Sequence, residues 1–94
     1  MPRPCKRRRV RGRPSSPYFK PAGIRLIELV ETALTMSEFE AIRLIDYSEK
    51  SQEDAGKQMG VSQSTLSRIL KSAHKKISDS LVNGKAIKIE NGEK

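Results

Sequence analysis

Tryptophan is absent, cysteine and histidine occur once each, and the aromatic side chains are limited to two Tyr and two Phe. A lone Cys5 cannot close a disulfide within the chain, and with a single histidine beside it there is no ligand set for a metal. The few aromatic rings are needed for packing, which argues against RNA recognition by base stacking. No apolar run approaches the roughly 18 to 20 residues of a membrane span. The basic N-terminal stretch is followed by Gly, Pro and Ser rather than by the apolar region of a secretory signal. The expectation is a cytoplasmic protein with no membrane association. A Gly-rich phosphate loop, a nucleophile elbow and a His-carboxylate-nucleophile set are also missing, so neither an enzyme nor a bound cofactor is expected.

Charge is abundant, and it is unevenly placed. Of 19 basic and 11 acidic side chains, residues 1–20 carry Arg3, Lys6, Arg7, Arg8, Arg9, Arg11, Arg13 and Lys20 with no acid, so the whole formal charge of +8 resides there. Residues 28–54 are acidic except for Arg43 and Lys50, whereas residues 55–85 are basic except for Asp79. A polyanion would meet only one side of such a body.

Four prolines, Pro2, Pro4, Pro14 and Pro17, interrupt the basic segment, and like-charge repulsion without apolar anchors predicts a flexible basic arm over residues 1–17. Tyr18-Phe19 reads as the stitch that joins this arm to a folded unit over residues 18–94. The apolar residues from Ile24 to Leu34 do not separate helix from strand by period, and a short irregular or strand-like piece is expected around Leu29 to Ala33.

Local signals for helices are clearer. Thr35-x-x-Glu38 fits a capping box, and Leu34 with Phe39 fits the hydrophobic staple, so a first helix is predicted over about 36–47 with Phe39, Ile42 and Ile45 inward. Ser51 caps a second over about 52–59, with Glu53 and Asp54 in its first turn. Gly60 stops it, and Ser62 caps a third over about 63–82 with an apolar stripe of Leu66, Ile69, Leu70, Ala73 and Ile77. Asn83-Gly84 ends that helix, and Ala86 to Glu90 alternates like a short C-terminal strand, a candidate partner for the piece around Leu29.

A helix, a tight turn with Gly and a helix that opens on a polar cap form the pattern of a helix-turn-helix, whose second member enters the DNA major groove. The small pair Ala55-Gly56 permits a close helix crossing. Leu34-Thr35, Ser51-Gln52-Glu53-Asp54-Ala55-Gly56, Met59-Gly60-Val61-Ser62, Thr65-Leu66 and Leu70-x-x-Ala73-x-Lys75-Lys76-Ile77 together resemble sigma-factor region four. Nearly the whole chain further resembles a family of small uncharacterised prokaryotic proteins expected to bind DNA. The shared landmarks are Met1-Pro2-Arg3-Pro4, Tyr18-Phe19-Lys20-Pro21-Ala22-Gly23, Glu40-Ala41-Ile42-Arg43-Leu44, Met59-Gly60-Val61-Ser62 and Leu81-Val82-Asn83-Gly84-Lys85-Ala86. That resemblance implies a mostly α, three-helix, sigma-factor region-four-like domain. Relatives tend to carry further cysteines in the arm where this chain has only Cys5, and Ile69 stands where such modules are often basic.

On this reading the chain binds double-stranded DNA sequence-specifically, as a transcription regulator. Gln63, Ser64, Ser67 and Arg68 are the candidates for base contacts, with Gln63 suited to adenine and Arg68 to guanine. Ser62, Lys71, Lys75 and Lys76 are the candidates for phosphate. The same basic face is also what an ordinary solvated helix presents, and His74, with no expected partner, reads as a surface residue. In the arm, Lys6, Arg7, Arg8, Arg9, Arg11 and Arg13 are expected on phosphate. Arg11-Gly12-Arg13-Pro14 also resembles an AT-hook core, which would enter the minor groove. The alternative function is an adaptor docking on RNA polymerase through an acidic face of Glu38, Glu40, Asp46, Glu49 and Glu53. So small a core would gain from a second chain, and a homodimer is the preferred assembly.

Overall fold

The structure is a computed structural model that describes residues 9–23, 25 and 29–90. Cys5, Lys6, Arg7 and Arg8, together with Ile24, Leu26 and Ile27, lie outside the described residues.

The strands β1 (Tyr18–Phe19), β2 (Glu31–Leu34) and β3 (Ala86–Ile89) form one sheet in the order β1-β3-β2. β1 pairs antiparallel with β3, Tyr18 opposite Lys88, and β2 pairs parallel with β3, Glu31 opposite Ala86 through Leu34 opposite Ile89. Parallel neighbours need a long crossover, and all the helices lie inside it. Tyr18 lies in this sheet, and its hydroxyl reaches past β3 to donate to Glu31 on the far strand at 2.7 Å. The bond holds the Tyr18 phenol above its ordinary pKa, because Glu31 accepts its proton and repels the phenolate.

Helix α1 (Met36–Ile42) starts on the expected capping box: Thr35 Oγ1 accepts from the Glu38 N–H at 3.1 Å, and Glu38 Oε1 accepts from the Thr35 N–H at 2.9 Å. The predicted first helix is correct in extent but not in form, since Arg43–Tyr47 is a π-helical turn. Its last residues close through the Ser48 N–H on the Arg43 carbonyl and the Lys50 N–H on the Leu44 carbonyl, both at 2.9 Å. Glu49 between them takes φ +60°, a left-handed position that normally favours glycine.

Helix α2 (Gln52–Met59) is capped by Ser51 and ends at Gly60, with φ +72° and ψ +33°. Helix α3 (Gln63–Asn83) is capped by Ser62, runs for 21 residues and stops at Gly84, φ +67°. The stripe expected on α3 is buried at Leu66, Leu70 and Ala73. Leu66 and Leu70 meet Ala41, Leu44, Ala55 and Met59 in one core cluster; Ala73 meets Leu34 and Ile89 in a second beneath the sheet. Ile42 packs against both, which makes α1 the bridge between helices and sheet.

The described part of the arm departs from expectation. Residues 9–17, predicted to hang free, run along the body: the Arg9 N–H donates to the Met59 carbonyl, and the Pro17 carbonyl accepts from the Ile89 N–H at 2.8 Å. The reason is a buried acceptor on α1, described below, whose partners are backbone amides rather than anything composition reveals.

Candidate functional site

The α2–α3 pair is set by its three-residue turn. A side chain on Gly56 would meet the Val61 carbonyl at 3.0 Å, so the backbone of the turn folds back onto α2 as closely as glycine allows. Gly60 turns the chain in the left-handed region, Val61 packs against the core, and Ser62 Oγ accepts from the Thr65 N–H at 3.1 Å to start α3. In the first turn of α3, Gln63 and Ser64 are exposed, Thr65 is half-buried and Leu66 is in the core.

All the sequence-derived base-contact candidates, Gln63, Ser64, Ser67 and Arg68, are exposed there, as are Ser62, Lys71 and Lys75. Ser62 and Ser64 share a hydroxyl contact at 3.3 Å, and Arg68 Nη2 reaches the Thr65 hydroxyl at 3.4 Å, a long bond that leaves its guanidinium available. Arg68 also borders a shallow depression between α3 and the start of α1, lined by Thr35, Ser37, Glu38, Ile69 and Ser72.

Lys76 is placed differently. Its ammonium donates to Glu38 Oε1 at 2.8 Å, while Ser72 Oγ donates to the other oxygen at 2.6 Å. Burial pushes the Glu38 carboxyl up, but Lys76, Ser72 and the Thr35 N–H outweigh it and hold the group below its ordinary range. Lys76 therefore joins α3 to α1 rather than standing with Lys71 and Lys75. His74, expected to lack a partner, contacts Asp46 Oδ2 at 2.6 Å and ties α3 to the π-helical turn.

The proposed acidic face divides into two groups. Asp46, Glu49 and Glu53 are exposed, but Glu38 is only 6% and Glu40 only 1% exposed. Glu40 was the residue whose role sequence reasoning missed. Its oxygens accept from Arg43 Nε and Nη2 at 2.9 Å and from the Arg11 and Gly12 N–H groups at 3.1 Å. Burial raises its pKa, and these four donors more than reverse that, while Arg43 is raised by the same pairing. The only trace in the sequence is a glutamate three residues before an arginine, a pattern shared by countless exposed helices. Among the described residues no three His, Cys, Asp or Glu side chains gather as metal ligands, and no helix is long and apolar enough to cross a membrane.

The profile of a family described as "Protein of unknown function DUF134" matches residues 1–94. A UPF0251 protein of Caldanaerobacter subterraneus subsp. tengcongensis is 53% identical over 92 residues, covering 98% of this chain and 78% of the relative. A UPF0251 protein of Moorella thermoacetica is also 53% identical over 92 residues, and there the chain spans 62% of the relative's length. A third, from Thermoanaerobacter pseudethanolicus, is 49% identical over 92 residues, 78% of its length. No solved structure matches.

Proposed function

The chain belongs to the DUF134 family of proteins of unknown function, and we propose that it is a sequence-specific double-stranded DNA-binding protein, a transcription regulator whose α2–turn–α3 unit acts as a sigma-factor region-four-like helix-turn-helix. One observation carries the reading: Gly60, in the left-handed region, and the Ser62 cap present an exposed polar first turn of α3, while Leu66 and Leu70 on its other side are buried. A helix of about 10–12 Å diameter fits the major groove of about 12 Å when one end is free of its own fold.

Gln63 and Arg68 read base edges, each good bidentate contact contributing about 1–3 kcal/mol of discrimination. Ser67 lies on the same exposed side. Ser62, Lys71 and Lys75 set the register on phosphates. The N-terminal basic residues add sequence-independent attraction. Minor-groove entry by Arg11-Gly12-Arg13 is the weaker mode, because the amides of Arg11 and Gly12 are engaged by Glu40. The RNA-polymerase adaptor is also the weaker function, since two of the five carboxylates on its surface are buried. Leu81 and Val82, exposed near the end of α3, offer apolar surface to a second copy in a homodimer reading two half-sites.

Selection of bound sequences from a random duplex pool with the full chain tests the reading. A defined motif is expected, and Arg68→Ala relaxes one position of it at a cost of about 1–3 kcal/mol. Recovery of no motif, or an Arg68→Ala variant that selects the same motif with the same affinity, removes α3 as the reading element.

A further inference from the structure

The segment before β1 lies on the body in a regular way. From Arg9 to Pro14 exposure alternates, with Arg9, Arg11 and Arg13 outward and Val10, Gly12 and Pro14 half-buried, the habit of extended chain on a surface. Two anchors hold it. Arg9 donates through its own N–H to the Met59 carbonyl at 3.0 Å, and through Nε and Nη2 to the Gln58 and Lys57 carbonyls at 3.1 and 2.7 Å. These carbonyls belong to the last turn of α2, where that of Lys57 also accepts from the Gly60 N–H at 3.2 Å. The second anchor is Glu40, gripping the Arg11 and Gly12 amides. Gly12 is required there, because a Cβ would lie 2.0 Å from Arg43 Nε.

The chemistry of the grip is selective. Glu40 holds backbone N–H groups and pairs its charge with Arg43, so the Arg11 side chain stays exposed, and no ion pair ties it to a carboxylate among the described residues. Arg9 of the strap lies beside the turn that leads into α3: its guanidinium is 3.4 Å from where a Gly60 Cβ would stand, and Ser62 is two residues further on. At about 3.3 Å per extended residue, Arg11 and Arg13 follow roughly 7 and 13 Å along the strap from Arg9.

We propose that Glu40 is a positioning residue for duplex DNA, clamping the strap so that exposed Arg11 and Arg13 form one phosphate-binding surface with the start of α3. This rests on the reading of the chain as a duplex-binding protein. The N-terminal charge then acts from a fixed place, before DNA arrives.

The test uses the full chain, the duplex recovered from the random pool, and three variants. Gly12→Pro opens the clamp with every charge kept, since it deletes one clamped N–H and its Cβ displaces Arg43 from Glu40; Arg11→Gln with Arg13→Gln deletes the charges and keeps the clamp, and the third combines them. In the free protein the Arg11 and Gly12 amides are expected to exchange slowly, and Arg11 quickly in Gly12→Pro. The double Gln variant lowers the log-log salt slope of binding by about 1.8, from two phosphates at about 0.9 each. Gly12→Pro weakens binding roughly tenfold, the penalty of ordering about one backbone residue anew. The Gln substitutions cost less in that background than in the wild type. Fast exchange in the wild type, or wild-type affinity and slope in either variant, overturns the clamp and leaves the contact by α3 standing. A wild-type chain that selects no duplex overturns the proposed function, and the clamp with it.

Discussion

Glu38 and Glu40 stand two residues apart on α1, about 200° around the helix, and each is buried against a different neighbour. Glu38 joins α1 to α3 through Lys76 and Ser72, whereas Glu40 joins α1 to the strap. Both carboxyls are held below their ordinary pKa, so their contribution to stability is complete above the unfolded value of about 4.3 and is lost as pH falls through the folded values. Urea midpoints are therefore expected to fall between pH 5 and pH 3, with a flatter dependence in the Glu38→Gln, Glu40→Gln double variant. An equally steep fall in that variant would assign acid sensitivity elsewhere. Backbone conformation gives a second pair of outcomes, again read by urea unfolding. Gly60→Ala loses about 1–2 kcal/mol in the left-handed turn, and Glu49→Gly gains about 0.5–1 kcal/mol by relieving a side chain held at φ +60°. Gly60 was legible because glycine before a capping serine is a local signal. Glu49 was not, because nothing in Ser48-Glu49-Lys50 announces a left-handed residue.

The helices were the most legible elements because their boundaries are written in neighbours. Thr35, Ser51 and Ser62 each accept the N–H three residues on, and Gly60 and Gly84 end the two helices that follow. Ser62→Ala is expected to cost about 1 kcal/mol of stability in thermal unfolding. Leu66→Ala, four residues later and fully buried, costs about 2–5 kcal/mol. Similar losses for the two would mean that Leu66 is not the core residue its burial indicates. The π-helical turn at Arg43–Tyr47 escaped sequence reading because its residues keep a helical pattern, and the wider winding shows only in how Leu44 and Ile45 seat against α2 and α3. The strands were half legible. Ala86 to Ile89 alternates recognisably, but parallel pairing with Glu31–Leu34 depends on where three intervening helices return the chain.

For the whole molecule, residues 9–19 belong to the fold as well as to the charge. Tyr18 and Phe19 extend the sheet, and Arg9, Arg11 and Gly12 satisfy acceptors on α1 and α2. Removing residues 1–13 deletes charge-assisted bonds to buried Glu40, so a loss of about 2–4 kcal/mol in urea unfolding is expected. An unchanged midpoint would make those residues a tail in solution. The same truncation should reduce the salt slope of DNA binding by about 4–5 units if some five phosphates are neutralised.

Composition and local spacing by themselves determined the caps, the helix stops, the apolar stripe of α3 and the concentration of positive charge before residue 21, because each depends on residues within a few positions of one another. Only the tertiary structure decided that Lys76 pairs with Glu38, that His74 meets Asp46, and that Glu40 grips a strap some 28 residues earlier in the chain. Those contacts join segments whose sequences carry no mark of each other, and a buried carboxylate is indistinguishable in sequence from an exposed one until its donors are brought to it.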